Sequence, residues 1–185
     1  KRNLQGLDKP ILDSLGIDKN KPEKQQRNQT GSPILEEGDI LLNTTLAETN
    51  DWQQVDLPVM RTLRHFCIET LSSYTEDNQA CISEVDLLDD KGQPIDKTKW
   101  EVVYVSSEQA DKNLGIAENL FDGDISSFWH TDPATEPGQP HRIIVDIKEI
   151  YKISALRFKV RKGAFLSGKV KEINVYGRPQ FFLFH

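Results

Sequence analysis

Six stretches of strand length alternate apolar and polar residues, and this alternation constrains the fold more than any other feature. "LRHFCIETL", "CISEVDLLD", "WEVVYVSS", "HRIIVDI", "YKISALRFKV" and "VKEINVYG" put β-branched or aromatic residues at nearly every second position, as in Ile143, Val145 and Ile147 or Leu156, Phe158 and Val160. "DDKGQ", "DGD", "EPGQP" and "RKG" supply turns between some of them, and no long stretch spaces its apolar residues as a helix does. No run recurs at a fixed longer period, which disfavours a propeller or solenoid. The pattern predicts an all-β domain, an antiparallel β-sandwich of the jelly-roll kind.

A chain of 185 residues is long enough for one domain with a sizeable core. Residues 1–50 are rich in Lys, Asn, Gln, Glu and Pro, and contain only a short possible helix in "PILDSLG". They read as a polar linker or the end of a preceding region. The sandwich is expected over 51–178, followed by a tail at 179–185. Asn28 and Asn43 each begin an Asn-x-Thr acceptor pattern, which is too short to assign by itself.

The formal net charge of -6 argues against a partner held by its phosphates, because such sites gather Lys and Arg on one face. Nucleic acid is therefore not an expected partner. No apolar run approaches the roughly 20 residues of a membrane-spanning helix, so membrane insertion is not expected either. The chain starts at Lys1 without a start Met or signal-like region, as a processed or trimmed form would. Cys67 and Cys81 lack metal-site spacing, and two readings stay open for them: a bridge across a sheet in an oxidising compartment, or two small buried residues.

Chemistry concentrates in "ENLFDGDISSFWHTD", Glu118 to Asp132. Asp122 and Asp124 flank Gly123, with Ser127 following, so a tight turn could aim several hard oxygens at one cation; an ordinary Asp-Gly turn fits the same residues. The loop is not an EF-hand, because Pro133 stands where the bidentate Glu belongs. Phe128 and Trp129 are expected in the core, with the indole nitrogen bonded. His130 reads either as a donor to a ligand hydroxyl or as a half-buried structural ring. Arg161 and Phe165, in "VRKGAFLSG", could offer a guanidinium and a ring to a sugar or form a solvated hairpin tip. No zinc-protease, nucleophile-elbow, phosphate-loop or dinucleotide motif is present, and no catalytic pair is assigned among the 29 Asp and Glu.

The order of "ISEVDLLDDKGQPIDKTKWEVVYVSSEQ", "AENLFDGDISSFWHT", "PHRIIVDI", "ISALRFKVRKG" and "GKVKEINVYG" resembles the discoidin superfamily, the coagulation factor V/VIII type C domains, and within it carbohydrate-binding module family 32. The resemblance covers about Val59 to Gly177. It implies a jelly roll with a structural calcium ion held by the Asp122 and Asp124 side chains, Ser127, the carbonyls of Asn119 and Lys171, and Glu172. In galactose-binding members a His and an Arg matching His130 and Arg161 touch the sugar, with Glu108 or Asn113 able to join them and Phe165 offering a ring. The loop "DPATEPGQP" lacks the aromatic platform of many members, and His141 is read as structural. The resemblance thus implies a non-catalytic sugar-binding module, accessory to a secreted or surface glycan-active protein, with galactose or N-acetylgalactosamine as candidate ligands. Its expected location is extracellular, at the cell surface or periplasmic, and other domains of the same parent protein are possible partners. The rival reading is a structural or protein-interaction domain with the same calcium-stabilised jelly roll and no sugar site. A fragment of an enzyme whose catalytic part precedes Lys1 is the third.

Overall fold

Two long antiparallel strands, β2 (Gln53–Thr70) and β7 (His141–Lys159), run side by side through the whole domain. The structure is a computed structural model, and it describes residues 31–134, 138–160 and 167–185. Among these, β1 (Ile40–Thr45), β3 (Cys81–Ile82), β4 (Glu84–Asp89), β5 (Glu101–Val105), β6 (Trp129–His130) and β8 (Glu172–Arg178) complete the set. The main sheet has the order β1-β8-β2-β7-β4, β5 also pairs with β7, and β3 pairs with β6. Among the described residues helical structure is confined to short 3-10 turns such as Ala117–Phe121.

The β2–β7 pair changes neighbours along its length. From His65 to Thr70, β2 takes β8 on its free side while the facing part of β7 takes β5. From Gln53 to Leu63, the partner half of β7 takes β4 instead. Register shifts between Leu63 and His65, opposite a left-handed Lys148 at φ 72, bend the pair between the two halves. One pair of strands thereby serves both layers of a sandwich. Phe66, Ile68, Ile143, Val145, Ile173 and Val175 from one layer meet Val85, Leu87, Ile153, Leu156 and Phe158 from the other. Trp100 fills the space beside them, its ring edge-on to Phe66 at 5.5 Å and tilted to Phe121 at 5.6 Å.

The all-β sandwich expected from the alternation is what forms, with three differences in its parts. "HRIIVDI" and "YKISALRFKV" are halves of one strand, because the intervening Lys148 and Glu149 make a bulge and not a turn. The strand β1 lies inside the stretch expected to be linker, where "ILLNTT" pairs with β8. The expected tail also belongs to the domain: Phe182 is buried against Cys67 and Ile144, and Ile34 N–H donates to the Leu183 carbonyl at 2.7 Å. The boundaries at 50 and 179 therefore move outward.

Neither cysteine is in a disulfide. Cys67 lies opposite Ile144 and Tyr176 on the sheet, whereas Cys81 lies opposite His130. Burial pushes the Cys67 thiol up, so it is a packing residue and not a nucleophile. Both thiols should resist labelling in the native protein and react once it is unfolded without reductant. Thiols that stay blocked after unfolding would contradict this arrangement.

Two buried histidines set the acid response. His141 is fully buried, its Nε2 2.5 Å from the Asn78 carbonyl, and burial lowers its pKa despite that bond. Burial also lowers His65, against the opposing pull of Asp146. A neutral native His resists protonation that the unfolded chain accepts below about pH 6.5, so this contribution to stability is lost as pH falls from there. Burial alone would raise Asp146, but two bonds from Arg64 and the Lys148 N–H outweigh it and hold the acid at about 2. Its contribution is present above the ordinary Asp value and is lost only as pH falls toward 2. The melting temperature should thus already decline between pH 7 and 5; a flat profile there would show that the histidines are not held neutral.

Candidate functional site

The Asp-Gly turn builds a ring of oxygens. After the 3-10 turn Ala117–Phe121, Gly123 adopts φ 79, a conformation glycine takes without strain, and reverses the chain. Asp122 Oδ1 accepts the Asp124 N–H at 2.9 Å and its Oδ2 accepts the Ser127 hydroxyl at 2.5 Å. The same hydroxyl stands 3.0 Å from the Asp124 carbonyl and 3.5 Å from the Asn119 carbonyl. The Asp124 carbonyl also accepts the Ser127 N–H at 3.1 Å, which closes the turn. The Asp124 carboxylate turns away and accepts the N–H and hydroxyl of Ser126, which leaves its carbonyl in the ring.

A carboxylate from another element closes the ring, and it is Glu84 on β4. Glu84 is 1% exposed, and its Oε1 accepts the Gly123 N–H at 2.8 Å. Burial, and then a hydrogen bond shared with Asp122, push its carboxyl up to about 8. The set is two carboxylates, one hydroxyl and two carbonyls, all hard oxygens of the kind calcium takes, and it fits such an ion. Among the described residues no group of three or more His, Cys, Asp or Glu converges on one point.

Lys171 and Glu172, expected to share the ion, are engaged elsewhere. The Lys171 carbonyl accepts the Leu46 N–H at 2.8 Å, and the Glu172 carboxylate takes the Ser72 hydroxyl at 3.0 Å. β8 lies between β1 and β2, while the loop packs on β4. "SEVDLL" and "KEINVY" have the same local form, a Glu entering an alternating strand, and only the strand order decides which Glu meets the loop.

The same loop continues into His130. Trp129 is fully buried and donates its indole N–H to the Ser107 carbonyl at 3.0 Å, and Phe128 is buried beside it, as expected of both aromatics. β6 lies against β3, with Cys81 opposite His130. The His130 Nδ1 donates to the Thr131 carbonyl at 2.5 Å, and Nε2 is 2.7 Å from the Ser167 hydroxyl. Gly115 packs against this ring's stem: a Cβ there would stand 2.9 Å from the His130 Cβ and 3.0 Å from the Gln109 Cβ.

Residues 108–115 wrap one side of His130, through a bond from the Gln109 N–H to the His130 carbonyl and one from the His130 N–H to the Gly115 carbonyl. Glu108 Oε2 accepts the Ala117 N–H at 2.9 Å, and Asn113, left-handed at φ 55, accepts the Asn119 side-chain amide on its carbonyl. His130, Glu108, Asn113 and the oxygen ring thus belong to one connected loop cluster. Arg161 and Phe165 lie outside the described residues. Ser167, Gly115 and Glu84 are the members that sequence reasoning missed.

Residues 102–180 match the model of the F5/8 type C domain. This segment is similar to the F5/8 type C domain family. Over 84 residues it is 33% identical to a sialidase of Micromonospora viridifaciens, a match that covers 44% of this chain and 13% of that protein. The F5/8 type C match includes the Asn119–Ser127 part of the oxygen ring, β6 and His130, but begins after Glu84 and β4.

Proposed function

We propose that the protein is a non-catalytic carbohydrate-binding module of the family 32 kind, accessory to a secreted or surface-attached glycan-active protein. The observation that carries this reading is the position of His130 within the stretch that matches the F5/8 type C model: a ring held from both nitrogens at the end of the same loop that forms the oxygen ring. The likeness to a sialidase associates the segment with a protein that acts on glycans. A shallow site of this kind binds weakly, with a dissociation constant on the order of 0.1 to 1 mM, because a few hydrogen bonds offset desolvation and ordering costs. Galactose and N-acetylgalactosamine are the proposed ligands, met by His130 with Glu108 or Asn113, and Arg161 and Phe165 are proposed to join them. No helix among the described residues is long and apolar enough to cross a membrane, and the proposed location is extracellular, cell-surface or periplasmic.

Asp122, Ser127, Glu84 and the carbonyls of Asn119 and Asp124 would hold a structural calcium ion. Bound calcium supplies the charge that neutralises the two carboxylates and ties the loop to β4. The protein's own groups do the rest: Asn119 donates to the Phe128 carbonyl at 3.0 Å, so the order of the ring is passed directly to the segment that presents His130.

A second reading, a protein-interaction domain with the same frame and no sugar site, draws on the burial of His130, which is 4% exposed. An array of immobilised glycans probed with calcium-loaded protein separates the two, since dense display raises weak binding by avidity. Retention on galactose- or N-acetylgalactosamine-terminated glycans, lost with His130→Ala, is the expected outcome. Retention on none of the glycans would favour the interaction domain.

A further inference from the structure

Glu84 holds a cation of the chain on one oxygen and the Gly123 N–H of the loop on the other. Lys97, on the connection from β4 to β5, turns back over β4 and sets its ammonium 2.5 Å from Glu84 Oε2, 2.6 Å from Asp86 Oδ1 and 3.3 Å from the Val85 carbonyl. Its three protons are thereby all used. The other Asp86 oxygen takes Arg157 Nη2 at 2.6 Å, while the other Glu84 oxygen faces the loop through Gly123 N–H. The side chains of Glu84 and Asp86 are 1% and 8% exposed, so this is a buried charge cluster and not a screened surface pair.

We propose that Lys97 is a built-in counter-cation of the oxygen ring, which holds Glu84 against the loop when no divalent ion is bound and lowers the affinity of the ring for such an ion. The inference rests on the calcium reading given above. Two cations on opposite oxygens of one buried carboxylate repel each other, and the low local dielectric leaves that repulsion weakly screened. Without Lys97, the ammonium that bridges Glu84 and Asp86 is gone, and among the described residues nothing of the chain's own charge holds Glu84 in place in the ion-free protein. The loop would then dock on β4 only with an ion present, so a protein that tolerates calcium loss would become one that depends on calcium.

The test is calcium titration by calorimetry, with melting curves in chelator and in calcium, on the intact chain and on Lys97→Gln, Lys97→Arg and Lys99→Gln. Lys99 is exposed on the same connection and controls for net charge. Lys97→Gln should bind calcium about tenfold more tightly and lose more melting temperature on chelation than the parent, whereas Lys97→Arg and Lys99→Gln should stay within about twofold of the parent affinity. Parent-like affinity in Lys97→Gln, with calcium binding intact, would overturn the role of Lys97 and leave the calcium reading standing. A parent chain that binds no calcium would overturn both. Should Lys97→Gln fold only in calcium, that dependence is itself the expected result; should it fail to fold even then, a tenfold change in Lys97→Arg would still overturn the proposal.

Discussion

Trp129→Ala should destabilise the protein by about 3–5 kcal/mol, a cavity-forming loss of the size seen when a buried aromatic is truncated. The indole is fully buried, and its N–H has a buried acceptor, the Ser107 carbonyl, that would be left without it. The residue also sits between Phe128 and His130 on β6, so the cavity opens directly beneath the proposed ligand site. For a domain of this size the loss corresponds to a melting temperature lower by roughly 10 °C. Trp52→Ala is the control, since that ring is 39% exposed and stacks on Arg157 at 5.0 Å. Equal melting temperatures for the two variants would show that Trp129 is not the centre of the loop cluster.

Glu84→Ala and Glu172→Ala should differ in their response to calcium. An ion bound only by the native state stabilises it by about 2.7 kcal/mol at a hundredfold excess over its dissociation constant, which is several degrees of melting temperature. Glu84→Ala removes one of the two carboxylates that face the ring and should abolish that gain. Glu172→Ala removes only the acceptor of the Ser72 hydroxyl and should keep it. Melting curves of the two variants in chelator and in excess calcium decide between them. The reverse pattern would return the site to β8.

The contrast between Glu84 and Glu172 also marks how far the sequence could be read. Alternation in β8 was legible because every second residue is buried, β4 still alternates acidic and apolar residues at its start although it is buried almost throughout, and burial of Trp129 followed from its apolar setting. The Asp122–Ser127 turn was legible because it is local: Asx bonds and a left-handed glycine act over a few residues. Glu84 was not, since its meeting with Gly123 spans 39 residues and depends on which strand ends beside the loop. β1 was hidden for a related reason. Its six residues have a clear pattern but are surrounded by polar sequence, and their stability comes from pairing with β8 rather than from any local signal. The continuity of β7 was hidden because a bulge at Lys148 looks, in sequence, like the polar gap of a turn.

The site around His130 is tested most directly by NMR, with galactose and N-acetylgalactosamine titrated into calcium-loaded protein while the resonances of His130, Glu108, Asn113 and Ser167 are followed. Progressive shifts centred on these residues, fitting a dissociation constant on the order of 0.1 to 1 mM, are the predicted result. Shifts confined to other residues, or no shifts with either sugar, would contradict the account of His130 as the centre of a glycan site.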